Sequence, residues 1–305
     1  MFVAVLLWVM EKWVATPLLR YAHMPEQLPW WVLLLIILGT VFIAAGGYVV
    51  NAYFDVKIDR INHPDSLIVT RTVDKPSAML FFQILTGIGI ACGMGASWAC
   101  HSTSMAMVYV MVPGLMWFYS ASYKRQFLLG NLIIAFSSAM TPLLIGLAND
   151  GWMQHQYGDL VLGVGVIQSI YVWTAGFALF AFLMTWIREM VKDMEDQMGD
   201  RELECHTVPI VMGDIWAKVL VTVLVLAVMA MTAWLVLGPI PFSHEWNSLS
   251  VRFMTFAIEI PLICELCLLW SAKIPSDYRS AQQLLKFVMA LGTMYSYVIQ
   301  ASLPA

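Results

Sequence analysis

Charge is what this chain has least of. Of its 305 residues only 12% are charged and 60% are hydrophobic, against roughly a quarter charged in an ordinary soluble domain. That shortage excludes a large soluble domain. A polybasic tail and an aromatic-interleaved basic patch are also absent, and the net charge is only −4, so neither composition nor charge pattern points to nucleic acid. No segment suggests a protein partner. Cysteine is sparse: of the five, only Cys264 and Cys267 stand close together, in an apolar stretch with no third or fourth ligand, so a zinc site is not expected. Disordered linkers and low-complexity tracts are missing too, which leaves residues 1–305 as a single polytopic domain. The apolar start from Val3 to Val9 runs into Glu11 and Lys12 without a small-residue cleavage site, so it is expected to be a first helix and not a removed signal peptide.

Long apolar runs are present in abundance. About 20 residues of helix cross a ~30 Å hydrocarbon core, and runs of that order fall at 2–22, 28–52, 76–99, 105–122, 128–148, 161–186, 215–237, 251–271 and 281–302. The expected fold is therefore an all-α membrane protein, a bundle of about nine transmembrane helices around a lipid-open central cavity. The connections alternate in character. Those after even-numbered runs carry Lys57, Arg60, Arg71, Lys75, Lys124, Arg125, Arg188, Lys192, Arg201, Lys218, Lys273, Arg279 and Lys286, whereas the opposite ones carry little beyond Arg20 and Arg252. The positive-inside rule then puts the even-numbered connections in the cytoplasm. An integral membrane protein, with its polar chemistry on the cytoplasmic side, is the expectation.

Two of those cytoplasmic connections open on acidic clusters. In "NAYFDVKID", Asn51, Asp55 and Asp59 are spaced i, i+4, i+8; a helix continuing past the membrane edge would project all three from one side. In "REMVKDMEDQMGD", Asp193, Asp196 and Asp200 are spaced i, i+3, i+7 and share a face with Glu189. Carboxylates brought together repel, so two such clusters need cations between them, and an all-oxygen donor set suits Mg²⁺. Magnesium usually bridges one or two carboxylates to substrate phosphates, which implies a phosphorylated substrate. Lys124, Arg125, Arg71 and Lys192 share the same membrane face and suit phosphate oxygens. Either acidic cluster alone would pass for a solvated helix end.

Glu259 and Glu265 lie mid-run in "FAIEIPLICELCLLW", with Pro261 between them as an expected kink. Carboxylates at that depth face a bundle interior or a wet cavity; a substrate-cavity role and a neutral, hydrogen-bonded structural role both stand open. His101, His155 and His244 fall in the outer connections, where surface roles are expected.

With these residues in hand, the chain resembles the UbiA family of intramembrane prenyltransferases over nearly its whole length. The family's paired motifs match "NAYFDVKID" and "DMEDQMGD", with further matches at Tyr119 and Lys124, at Gly130 and Asn131, and in "TVPIVMG" from Thr207 to Gly213. Within the family it looks most like the branch that makes digeranylgeranylglyceryl phosphate. The resemblance implies Mg²⁺-dependent transfer of a polyprenyl group from its diphosphate to a lipid acceptor, or alternatively to an aromatic acid in quinone synthesis. Asn51, Asp55, Asp59, Asp193, Asp196 and Asp200 would hold metal. Arg71, Tyr119, Lys124 and Arg125 would bind diphosphate, and Asp55, Asp59, Asp193, Asp196 and Lys124 would carry catalysis. Two departures stand out: Ala52 replaces a common aspartate, and Ser66-Leu67 a basic-plus-proline pair. A secondary transporter and a diphosphate hydrolase are the rival classes.

Overall fold

The computed structural model describes residues 2–24, 27–62, 68–158, 165–237 and 248–303. Among the described residues it is all helical, with nine helices long and apolar enough to span a membrane. These are α1 (Phe2–Tyr21), α2 (Trp30–Asn62), α3 (Lys75–Ala99), α4 (Thr103–Ala121), α5 (Leu129–Tyr157), α6 (Gly165–Glu195), α7 (Asp214–Val236), α8 (Ser248–Ser271) and α9 (Pro275–Ser302). Helices are the expected response of an apolar chain to a solvent that cannot hydrogen-bond its backbone. The protein is an integral membrane protein.

The helices outrun the apolar segments that announce them. Where hydropathy ends near residue 52, α2 continues to Asn62, and its 33 residues span about 50 Å at 1.5 Å each. α6 likewise runs on to Glu195, and α5 absorbs "NDGWMQHQY" as far as Tyr157. Hydropathy reports where lipid stops; the backbone ladder needs no lipid to continue. Those extensions carry the acidic residues past the apolar segments.

α6 lies at the centre of one half, packed on α5, α7 and α9, and α2 gathers α1, α3 and α4 in the other. The α2–α3 contact is a backbone-to-backbone approach: a Cβ on Gly39 would lie 3.0 Å from the Gly93 nitrogen and 3.1 Å from the Gly89 carbonyl oxygen. Small residues permit such approaches, which drive helix association where lipid and protein are equally apolar. Across the bundle, the Tyr109 hydroxyl donates to the Ile36 carbonyl at 3.1 Å and Thr185 donates to Ser138 at 3.0 Å. Trp30, Trp98 and Trp234, 74%, 81% and 66% exposed, stand at the helix ends opposite the acidic clusters, as an interfacial aromatic belt would.

At the expected Pro261 kink, α8 opens into a π-helical turn from Met254 to Glu259, immediately before the proline. A proline removes one i→i−4 bond and crowds the preceding turn, and the wider turn takes up the mismatch. A second π-helical turn, Met10–Ala15, interrupts α1. Ser66, Leu67 and His244 lie outside the described residues.

Candidate active site

The ends of α2, α4 and α6 meet at one face of the bundle. There a narrow polar cavity is lined by Asn51, Asp55 and Asp59 from α2 and by Asp193, Asp196 and Asp200 from α6 and the short helix Gln197–Glu202 that follows it. Tyr119, Lys124, Arg125, Glu189 and Lys192 complete most of the wall. All of the residues expected from sequence to meet here do so except Arg71. That residue is exposed on the turn after α2 and stands outside the lining.

Asp55, Asp193 and Asp200 are each held by a neighbour from another element. Asp55, 5% exposed, forms an ion pair with Lys124. Lys124 sits on the 3₁₀ turn Tyr123–Arg125, which folds back over the start of α5. The turn comes so close that a Cβ on Gly130 would lie 2.9 Å from the Lys124 Cα and 3.0 Å from the Tyr123 carbonyl oxygen, so only glycine fits. The next residue, Asn131, donates to Asp193 Oδ2 at 2.9 Å. Thr207 donates to Asp200 Oδ2 at 3.2 Å, and the His206 N–H donates to the Arg125 carbonyl at 2.9 Å, which ties the loop after the second motif to the turn that presents Lys124. The "GN" and "TVPIVMG" elements thus orient the carboxylates and the lysine.

Deeper in the bundle, one turn before Asp193, Glu189 is 6% exposed and pairs with Arg188. Lys192 is within electrostatic reach of Glu189, Asp196 and Asp55. Asp200 lies beyond the spanning segments. Burial pushes its pKa up to about 6, and the charge of Asp196 adds to the rise, against the lowering effect of the Thr207 hydrogen bond. The site therefore holds negative charge under tension.

Among the described residues no group of three His, Cys, Asp or Glu side chains is arranged to hold an ion by itself. Magnesium seldom uses such a cage, since one or two carboxylates plus phosphate oxygens and waters suffice. Two observations fit that mode. The donors are oxygens, and Asn51 Oδ1 is buried with no hydrogen-bond partner among the described residues, an expensive arrangement unless something outside the chain satisfies it.

Glu259 and Glu265 do not line this cavity. Glu259 accepts from Thr232 at 2.5 Å, as the structural alternative requires. Glu265 is fully buried, and neither of its carboxyl oxygens meets a donor among the described residues. His101 and His155 stack on each other, 3.8 Å between ring centroids.

Three residues of the lining, Ile58, Asn62 and Cys205, escaped sequence reasoning. Asn62, the last residue of α2, donates from Nδ2 to the Asp196 carbonyl at 3.0 Å and accepts from the Gly199 N–H at 2.8 Å. Its only sequence signal was its place one turn past Asp59, on the same helical face.

Among the described residues, nine membrane-length helices carry this polar site at one end of the bundle. Residues 14–290 match the UbiA prenyltransferase family, and the chain belongs to that family. It is 29% identical over 268 residues to a digeranylgeranylglyceryl phosphate synthase of Methanosphaera stadtmanae, covering 86% of this chain and 85% of that one. Among solved structures, an apo UbiA homolog from Aeropyrum pernix K1 superposes with a TM-score of 0.64 at 14% identity, over 94% of this chain and 96% of that one. A UbiA homolog from Archaeoglobus fulgidus bound to DMAPP and Mg²⁺ gives 0.58 at 14% identity, over 98% and 99%.

Proposed function

We propose that the chain, acting as one domain, catalyses Mg²⁺-dependent transfer of a geranylgeranyl group from its diphosphate to geranylgeranylglyceryl phosphate, on the cytoplasmic face of a prokaryotic cell membrane. The observation that carries this is the convergence of both acidic helix ends on one cavity that also holds Lys124, Arg125 and Lys192. The resemblance to the Methanosphaera synthase favours the glycerol-lipid acceptor.

In this reading Asn51, Asp55, Asp59, Asp193, Asp196 and Asp200 would hold the metal. Bound there, Mg²⁺ supplies a Lewis acid at the diphosphate oxygens. Lys124 and Arg125 donate charge-assisted hydrogen bonds to the same oxygens, which strengthen as negative charge grows on the leaving group. Lys124 exchanges its bond to Asp55 for one to the substrate. Tyr119, 7% exposed on the cavity wall, orients the diphosphate, and Arg71 meets it on the way in. The allylic C–O bond breaks with its electron pair leaving on the diphosphate. The acceptor's hydroxyl oxygen forms the new C–O bond, and its proton passes to a cavity carboxylate or to the diphosphate. The helices keep water from the allylic carbon, which would otherwise be quenched as an alcohol.

The test is to supply geranylgeranyl diphosphate and Mg²⁺ to the protein in membranes, with geranylgeranylglyceryl phosphate or an aromatic acid offered separately. Ether product from the glycerol lipid alone is expected. Product from the aromatic acid alone would move the chain to quinone synthesis, and free prenol with neither would make it a hydrolase. A cysteine placed at Thr72 should react only with reagent on the cytoplasmic side; labelling from outside would invert the topology.

A further inference from the structure

Resting on that reading of the cavity, we propose that Asn62 is a positioning residue: it caps the short helix Gln197–Glu202 from across the site, so that Asp196 can serve the cavity and the two acidic helix ends keep a fixed separation.

α6 breaks at Asp196, whose φ of −88° and ψ of 3° end one helix and open the next. An aspartate at such an N-cap ordinarily turns its carboxylate back onto the N–H of the second or third residue of the helix it opens. Asp196 makes no such bond, and its residue lines the cavity. The N–H it would have satisfied belongs to Gly199, the third residue of the short helix, and that N–H donates at 2.8 Å to Asn62 Oδ1. The same amide returns a bond from Nδ2 to the Asp196 carbonyl at 3.0 Å, which also accepts from the Asp200 N–H at 3.2 Å. One side chain from α2 thereby performs the N-cap and splints the break.

Gly199 is shaped for this contact. A Cβ there would fall 2.6 Å from Asn62 Oδ1, 2.7 Å from its Nδ2 and 2.8 Å from its Cγ, so the amide occupies the space that any larger residue would need. Because Asn62 is the terminal residue of the helix that carries Asn51, Asp55 and Asp59, the clasp couples the first acidic set to the second without belonging to either.

Groups that orient ligands from behind typically change metal affinity or activity 10–100-fold when removed. Asn62→Ala is expected to weaken Mn²⁺ binding about tenfold, titrated by electron paramagnetic resonance in the presence of geranylgeranyl thiolodiphosphate, and to raise the Mg²⁺ concentration for half-maximal turnover by a similar factor. Asn62→Ser, which retains an acceptor for the Gly199 N–H, should recover part of both. Gly199→Ala, which leaves the amide chemistry intact but displaces it, should reproduce the defect and serves if Asn62→Ala fails to fold. Metal affinity within about twofold of wild type in Asn62→Ala or in Gly199→Ala would overturn the clasp. A wild-type protein that binds the analogue and turns over without divalent cation would instead overturn the underlying reading, and the clasp's role with it.

Discussion

Replacing Lys124 by methionine separates the two duties assigned to that side chain. In the ligand-free protein Lys124 neutralises Asp55, with side-chain exposures of 22% and 7%. Removing one member of a buried ion pair costs roughly 3–5 kcal/mol, because the other charge stays buried without compensation; the partial exposure of Lys124 puts the expected cost at the lower end of that range. In turnover the same ammonium faces the departing diphosphate, and loss of one preorganised donor lowers kcat by about 10²–10³. Purified Lys124→Met should therefore unfold at lower temperature than wild type without ligands, and recover most of that loss when Mg²⁺ and pyrophosphate are added, since the cation then neutralises Asp55 in the lysine's place. Radiolabelled prenyl transfer should show the 10²–10³ loss, with Lys124→Arg intermediate because the guanidinium keeps the charge but not the shape. A kcat within about threefold of wild type would refute the leaving-group role. A stability loss that Mg²⁺ and pyrophosphate leave untouched would refute the shared use of Asp55.

Asp55→Ala and Asp193→Ala should each abolish turnover while leaving a folded, monodisperse protein in detergent; near-normal rates in either would remove the metal role from its cluster. Gly130→Ala should lower kcat by about tenfold or more and also lower the unfolding temperature, because the added methyl collides with the backbone of the turn that presents Lys124 and small misplacements of catalytic groups are costly; unaltered kinetics would show that the turn tolerates the shift. Asp200 gives the pH dependence. Its folded pKa of about 6 lies above the ordinary 3.8, so the folded state binds that proton more tightly than the unfolded chain does. The stability contribution of Asp200 in the metal-free protein should thus rise as pH falls from 7 through 6, and Asp200→Asn should flatten that part of the melting profile; an Asp200→Asn profile identical to wild type would contradict the shift.

The paired acidic motifs and the membrane-length helices were legible because each has a local signature: a carboxylate every helical turn, or a run of apolar residues about as long as the membrane is thick. The reach of α2 to Asn62 and of α6 to Glu195 showed only through the helical spacing of the acids, since a helix that leaves its apolar segment loses the hydropathy signal while keeping its hydrogen bonds. The Asn62 contacts with Asp196 and Gly199 and the Asn131 contact with Asp193 join residues far apart in the chain, and no periodicity within either segment encodes its partner. Glycine at 130 and 199 was visible as composition but not as a requirement, because the backbone and amide that crowd those positions come from other elements.

The most direct measurement is a structure of the protein with Mn²⁺ and geranylgeranyl thiolodiphosphate, the metal located by its anomalous scattering. Manganese bridging the diphosphate to carboxylates of both α2 and the α6 end is predicted. Density for the diphosphate away from that cavity, or metal held by one helix end alone, would contradict the account.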